Sequence, residues 1–268
     1  MNRVPATRGF AWIAGSLALV RKQPSRLLLM GLVLQFLTGI TQAGPLGFLF
    51  VMAIPALTAG ILQAMYLASL GHRPPLTVLF SAFSIPQRLL RLFALSLVML
   101  AAGMLAAGGL LSGSMAGLDP ALLTRLERGD MSALSSVDPE LLRQMALSVL
   151  AGVLASGMVG YFSIPLVWFG GQSTGMALLN GLAGVFRNVL PLLVLAACMV
   201  LLAMPVGFLA AMLMSASGGS NLLTLVVLFL IVAYQLVLFG AQYLSFRDLF
   251  GVAPQEPGSG TENDQFVA

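Results

Sequence analysis

Long runs of apolar residues, separated by short polar or glycine-rich stretches, fill most of this chain. Six of the runs are close to the ~20 residues that an α-helix needs to cross the hydrocarbon core of a bilayer. They lie at 26–43, 46–70, 89–112, 145–169, 189–214 and 222–246. The pattern predicts an all-α, polytopic membrane protein with six transmembrane helices.

The composition agrees with this class and excludes an ordinary soluble protein. Charged residues make up 8% of the 268 residues and hydrophobic ones 59%, whereas soluble domains carry about 25% charged residues. The net charge is +4. The basic residues that produce it are concentrated on one side of the predicted membrane, which is typical of membrane proteins, so we expect no nucleic-acid partner.

Two of the links between the runs are short and uncharged. Ala43-Gly44-Pro45 predicts a tight turn between the first and second runs, and residues 215–221 join the fifth and sixth. We therefore expect the six helices to form three hairpins, each closed on the same side of the membrane.

The basic residues are unevenly divided between the two sides of these hairpins. Ten of the 13 Lys and Arg residues lie on one side, and the other three lie between the third and fourth runs. Basic residues concentrate on the cytoplasmic side of membrane proteins. We therefore predict that both termini are cytoplasmic and that residues 113–144, with three Arg against five carboxylates, lie outside.

The external segment 113–144 carries two helix starts, Asp119-Pro120 and Asp138-Pro139. In each, an N-capping Asp precedes a Pro at the first helical position, and the second start should run into the fourth transmembrane helix. We expect a solvated amphipathic loop, with a lid over a ligand as the alternative. Residues 251–268 are rich in Pro, Gly and Glu and predict a disordered cytoplasmic tail.

The apolar stretch Gly9–Val20 has three interpretations: the core of a secretory signal, a first transmembrane helix, or a helix lying flat at the membrane surface. Its 12 residues span about 18 Å, which is too short for a hydrocarbon core of about 30 Å. Arg21 and Lys22 stand where a signal would carry its small-residue cleavage site. The sequence therefore favours an interfacial amphipathic helix over residues 7–21.

This opening segment resembles residues 175–187, at an offset of 166. The matching pairs are Gly9/Gly175, Ala11/Ala177, Gly15/Gly181 and Arg21/Arg187. At 100° per residue both copies separate a bulky apolar face from a small-residue face. Pro55 and Pro165 fall at equivalent points of two runs, and residues 76–83 form a poorer third copy. We predict an internal repeat of three units, each a short interfacial helix followed by a hairpin.

Three short segments also carry a family resemblance: residues 4–13, residues 165–172 and residues 183–188. Together they resemble an uncharacterised family of proteobacterial inner-membrane proteins that is known by a locus-tag label. The similarity covers roughly residues 4–250. It implies a bacterial inner membrane and a six-span layout, and it transfers no catalytic or binding residues.

Motifs that would indicate catalysis are absent from the sequence, including HExxH, GxSxG, the Walker loop and the dinucleotide fingerprint. None of the nine carboxylates lies within a predicted span. The single histidine, His72, and the single cysteine, Cys198, supply no cluster for a metal. We therefore predict no catalytic, cofactor-binding or metal-binding residues.

Two sets of residues are candidates for binding. Basic residues at the cytoplasmic boundary either anchor the topology or contact anionic lipid headgroups; they are Arg21, Lys22, Arg88, Arg91 and Arg187. Polar side chains within the spans either bond neighbouring helices or form a polar path, whose members would be Gln63, Tyr234 and Gln235.

A third set concerns helix packing. Small residues at intervals of four let two helices approach closely, and here they are Gly152, Ser156 and Gly160. We expect them to pack the third and fourth spans together, with a homodimer seam as the alternative.

These observations favour a non-enzymatic inner-membrane protein that organises the membrane, contacts lipids or supports a partner membrane protein. The alternative is a channel or carrier for an uncharged or amphipathic small solute, which the repeat and the proline-interrupted spans favour. An intramembrane enzyme acting on lipid comes last, because the sequence offers no nucleophile–base pair.

The predicted topology is tested by labelling single cysteines in a Cys198→Ser background with a membrane-impermeant maleimide. Arg128→Cys should react in intact spheroplasts, because it lies in the external segment. Lys22→Cys should react only after the inner membrane is opened. Labelling of Lys22→Cys in sealed spheroplasts would contradict the cytoplasmic N-terminus.

Overall fold

A computed structural model of the chain describes residues 2–39, 45–111, 138–216 and 221–251. All the regular structure in these residues is helical, which confirms the all-α class for them. The helices are α1 (Arg8–Lys22), α2 (Pro24–Gly39), α3 (Pro45–Ser69), a 3₁₀ helix (Leu76–Ser84), α4 (Pro86–Leu111), α5 (Pro139–Trp168), α6 (Thr174–Arg187), α7 (Val189–Ala216) and α8 (Asn221–Phe250).

Five of these helices are long and apolar enough to cross a membrane, so the chain is a multi-pass membrane protein. The spanning segments are Gly47–Ser69, Pro86–Leu111, Pro139–Trp168, Val189–Leu213 and Asn221–Phe250. Helix α2 covers the remaining predicted span, but its 16 residues reach only about 24 Å at 1.5 Å per residue. A sixth crossing therefore stays a prediction.

Several sequence expectations lie outside the described residues. They include residues 113–137 of the external segment, residues 252–268 of the predicted tail, Ala43 and Gly44 of the predicted tight turn, and residues 217–220 of the link between the fifth and sixth runs. At the edge of the external segment, α5 begins at Pro139, and the backbone N–H of Glu140 donates to Oδ1 of Asp138 at 3.0 Å. Asp138 therefore caps this helix, as its sequence predicts.

The chain divides into two compact units, and the boundaries fall inside α4 and α5. The larger unit holds the residues up to Ser96 and those from Tyr161 onward, and the smaller unit is Leu97–Gly160.

Helix α3 forms the centre of the larger unit. Its most apolar stretch is 67% buried, against 17–22% for the other four spanning segments. Its buried side chains are mainly small or aliphatic, among them Ala56, Leu62, Ala64, Met65 and Ala68. Helix α1 packs mainly against α8 and α7, and the 3₁₀ helix packs mainly against α3.

The smaller unit is held by close contact between α4 and α5. A Cβ atom added to Gly152 would lie 2.9 Å from the carbonyl oxygen of Gly103, so the backbones meet where both residues lack side chains. The Ser156 hydroxyl donates to the carbonyl oxygen of Met99 at 2.8 Å. An apolar groove of about 330 Å³ lies between the two helices, lined by Leu110, Gln144, Leu147, Leu150, Ala151 and Leu154.

Glycines in the left-handed region follow three of the long helices. Gly71 follows α3 with φ of 81°, Gly171 follows α5 with φ of 61°, and Gly251 follows α8 with φ of 61°. A residue with a Cβ atom is strained in this conformation, whereas glycine is not. These glycines let the chain leave each helix abruptly.

The contact between α3 and the 3₁₀ helix is tested by Gly60→Ala. An added Cβ would overlap the backbone carbonyl of Leu79, so we expect a loss of about 1–3 kcal/mol in the free energy of unfolding. Gly157→Ala is the control, since no atom lies within 4 Å of its added Cβ. Equal unfolding midpoints in detergent for the two variants would contradict this close contact.

Candidate functional site

The short helix α1 is seated on α7 and α8 through residues with small side chains. A Cβ atom on Gly9 would lie 2.6 Å from the carbonyl oxygen of Pro191 in α7. About two turns later, Ser16 lies against Gly240 of α8, and its hydroxyl donates to the carbonyl oxygen of Val237 at 2.7 Å. The inner face of α1 is thus fixed by two close approaches and one buried hydrogen bond.

Helix α6 and the 3₁₀ helix dock in the same manner as α1, and we refer to these three as the short helices. In α6, a Cβ on Gly181 would lie 2.6 Å from the Ser163 hydroxyl of α5. In the 3₁₀ helix, Leu79 lies directly over Gly60 of α3. Each short helix therefore contacts a long helix at a point where one partner lacks a side chain.

The outward faces of the short helices are apolar and bulky. Phe10 of α1 is 58% exposed and Leu179 of α6 is 67% exposed. The other exposed bulky residues of these helices are Leu17, Leu76, Phe80, Phe83, Met176 and Phe186. Exposure of this much apolar surface to water is unfavourable.

One carboxylate, Asp248 near the end of α8, ties α1 to α8. Its Oδ2 atom accepts from the Arg8 guanidinium at 2.9 Å and from the Trp12 indole N–H at 2.9 Å. The Asp248 side chain is 13% exposed and Arg8 is 48% exposed. The charge is thus stabilised by the partly screened ion pair with Arg8, by Arg247 at 4.0 Å, and by the hydrogen bond from the buried Trp12.

The N-terminal residues continue this attachment. The backbone N–H of Asn2 donates to the carbonyl oxygen of Leu249 at 2.7 Å. The buried Asn188 side chain accepts from the N–H of Val4 at 3.1 Å and donates to the carbonyl of Asn2 at 3.2 Å. Asn188 lies between α6 and α7, and Leu249 lies in α8. The N-terminal segment is therefore bonded both to α8 and to the junction of α6 and α7.

The five predicted headgroup residues fall into two groups. Arg21, Lys22 and Arg187 are exposed. Arg91 instead donates to the carbonyl oxygen of Gly171 at 2.6 Å, which satisfies the backbone after α5. The Arg88 guanidinium lies 5.3 Å from the centre of the Trp168 ring, in a cation–π arrangement.

The three residues of the predicted polar path each bond a different partner. The Gln63 side chain accepts from the Trp168 indole at 3.1 Å, and Gln235 donates to Gln35 at 3.0 Å. The Tyr234 hydroxyl donates to the carbonyl oxygen of Met199 at 3.4 Å. These contacts use the polar atoms for bonds between helices.

In the proline-interrupted helices α3 and α5, side chains of neighbouring helices also donate to main-chain oxygens. Pro165 leaves the carbonyl oxygen of Tyr161, one turn earlier, without its helical donor, and the Gln242 side chain donates to that oxygen at 2.7 Å. In α3, the carbonyl oxygen of Met52, three residues before Pro55, accepts from the Ser96 hydroxyl at 2.7 Å. A neighbouring helix thus satisfies the carbonyl oxygen that Pro165 leaves without its helical donor.

Gly152 and Ser156, two of the three predicted packing residues, contact α4 at Gly103 and Met99. The third, Gly160, is buried. Whether the same face also forms a seam between two copies stays a prediction.

Within the described residues, no group of three or more His, Cys, Asp or Glu is arranged to hold a metal ion. Of the buried side-chain nitrogen and oxygen atoms there, the hydroxyl oxygens of Ser81 and Ser163 are those without a hydrogen-bond partner.

No sequence pattern predicts the role of Asp248, which lies just beyond the last predicted span. Its partners Arg8 and Trp12 are four residues apart and therefore share one face of α1. Two donors on one helix face are consistent with a shared acceptor. The acceptor itself lies 240 residues away from Arg8, so no local pattern identifies it.

Comparison of the chain with protein-family models, with curated proteins and with solved structures found no match.

The Asp248 contacts are tested by comparing Asp248→Ala with Arg8→Gln. Asp248→Ala leaves the buried Trp12 N–H without an acceptor and should lower the free energy of unfolding by about 1–3 kcal/mol. Arg8→Gln removes only a half-exposed partner and should cost less than about 1 kcal/mol. The measurement is denaturant unfolding in detergent followed by tryptophan fluorescence.

The control is Glu140→Ala, which removes a carboxylate from an exposed pair with Arg143 and should leave the unfolding midpoint unchanged. A larger loss for Arg8→Gln than for Asp248→Ala would show that the ion pair, rather than the indole bond, holds the two helices.

Proposed function

We propose that the chain is a non-enzymatic integral membrane protein that contacts lipids through its short helices and so organises the surrounding membrane or supports a partner membrane protein. The observation that carries this proposal is that α1 and α6 each have a docked inner face and an exposed apolar outer face. Their inner faces dock through Gly9, Ser16 and Gly181, whereas Phe10 and Leu179 point outward.

The length of the short helices supports an interfacial position. The 15 residues of α1 and the 14 of α6 reach about 21–23 Å, too little to cross a hydrocarbon core of about 30 Å. Basic residues end both helices, at Arg21 and Lys22 in α1 and at Arg187 in α6. Apolar faces that end in cations are typical of helices at the boundary between acyl chains and headgroups.

The alternative of a channel or carrier gains no comparable observation. A path through the protein needs polar groups that are free to meet a solute, but Gln63, Gln235 and Tyr234 are bonded to neighbouring helices. The main-chain oxygen that Pro165 frees, that of Tyr161, likewise accepts from a side chain.

The proposal includes the topology that the sequence predicts: six crossings arranged as three hairpins, both termini cytoplasmic, in a bacterial inner membrane. The order of a docked short helix followed by two apolar helices supports the predicted threefold repeat, with the 16-residue α2 as the shortest of those apolar helices. The 3₁₀ helix docks on α3, α6 docks on α5, and α1 docks on α8. The 3₁₀ helix and α6 thus each contact the last helix of the preceding unit. Helix α1, which opens the first unit, contacts the last helix of the third.

The proposal is tested by spin labels on single cysteines in a Cys198→Ser background, with the protein reconstituted in vesicles. Labels at Phe10→Cys and Leu179→Cys should be relaxed more by oxygen, which concentrates in acyl chains, than by a water-soluble nickel complex. Leu105→Cys, on an exposed position of α4, is the lipid control, and His72→Cys, exposed after α3, is the water control.

Labels at Phe10→Cys and Leu179→Cys that behave like the label at His72→Cys would overturn the proposal, because the short helices would then lie in water. Solute flux through protein-containing vesicles above that of empty vesicles would favour the channel or carrier instead.

A further inference from the structure

Three exposed cations meet at the junction between α1 and α2. Arg21 and Lys22 end α1, Gln23 is the one residue between the helices, and Arg26 lies in the first turn of α2. We refer to Arg21, Lys22 and Arg26 as the basic edge. All three side chains are exposed.

The basic edge has no acidic neighbour within the described part of the chain. The ion pairs found there place Arg8 and Arg247 against Asp248, and Arg143 against Glu140. Arg91 is bonded to main-chain carbonyls and Arg88 lies over a tryptophan ring. The basic edge is therefore a concentration of positive charge that the described protein groups do not neutralise.

Helix stability alone does not explain this arrangement. Arg21 and Lys22 stand at the negative end of the α1 dipole, where cations are favourable. Arg26, however, stands at the positive end of the α2 dipole, where a cation is unfavourable and a bound anion is favourable. The first turn of α2 contains no acidic residue to compensate it.

The outward face of α1 leads directly into the basic edge. At spacings of four, three and four residues, the positions on this face are Phe10, Ala14, Leu17 and Arg21, and all are exposed. They lie opposite the buried Trp12, Ser16 and Leu19. One side of the helix thus presents an apolar stripe that ends in positive charge.

We infer that the basic edge binds the phosphate of an anionic phospholipid whose acyl chains lie along the outward face of α1. A phospholipid has this same order of apolar chains and then negative charge, so the surface and the ligand are complementary in both polarity and charge. The inference rests on the proposed function, since it requires α1 to lie at the membrane interface. It selects one of the headgroup regions that the sequence predicts and excludes Arg88 and Arg91 from it.

The test uses the full chain in a neutral detergent and measures lipid binding by native mass spectrometry. The probes are phosphatidylglycerol, phosphatidylcholine of the same chain length, and glycerol phosphate as the free anion. The variant is Arg21→Gln/Lys22→Gln/Arg26→Gln. The control is Arg3→Gln/Arg73→Gln/Arg143→Gln, which removes the same charge from three exposed positions outside the predicted headgroup set.

We expect the edge variant to bind phosphatidylglycerol at least tenfold more weakly than the unaltered protein, and the control to stay within about threefold, because each basic residue near an anionic lipid contributes roughly a fivefold factor. Equal weakening in both variants would overturn the inference, since net charge rather than the basic edge would then attract the lipid. Equal binding of the two lipids by the unaltered protein would overturn it as well. Glycerol phosphate that competes as well as the lipid would show a site for a free anion.

The outcome is separable from that of the proposed function. If the labels on Phe10→Cys and Leu179→Cys report lipid while the edge variant binds phosphatidylglycerol normally, the inference fails and the proposed function stands. If those labels report water, both fail. Equal thermal unfolding midpoints of the edge variant and the control show that a loss of binding does not come from misfolding.

Discussion

The structure depends on the close approach of short helices to long ones at residues that have no side chain. A helix of 14 or 15 residues does not cross the bilayer by itself, so it needs a fixed seat on a helix that does. Gly9, Gly60, Gly181 and Gly240 supply those seats. In lipid there is little hydrophobic driving force between apolar helices, so backbone approach, dense packing and hydrogen bonds are what hold them together. The Ser16 bond to the Val237 carbonyl at 2.7 Å is one such bond.

This seating has a consequence for the surface. Because the small residues are used on the inner face, the bulky apolar residues of each short helix, such as Phe10 and Phe186, are left on the outer face. The short helices therefore carry exposed aromatic and aliphatic side chains, and α1 and α6 end in basic residues. This surface is the basis of the proposed contact with lipid.

The sequence predicts this fold well where the signal is local. The lengths of the apolar runs place five of the spanning helices, the Asp138-Pro139 pair places the start of α5, and the periodicity of residues 7–21 places α1. It fails where partners are distant in sequence. Trp12 and Asp248, Gln63 and Trp168, and Gln35 and Gln235 pair across 236, 105 and 200 residues. No spacing rule connects them, so polar residues that sequence reasoning grouped into one path prove to bond separate partners.

Helices α1 and α6 dock on the long helices, and we propose that their outward faces contact lipid. An experimental structure of the protein in a lipid nanodisc tests both points at once. We expect α1 seated on α8 through Ser16 and Gly240, with acyl-chain density along Phe10 and Leu17. A structure in which α1 is detached from α8 and surrounded by water would contradict this expectation.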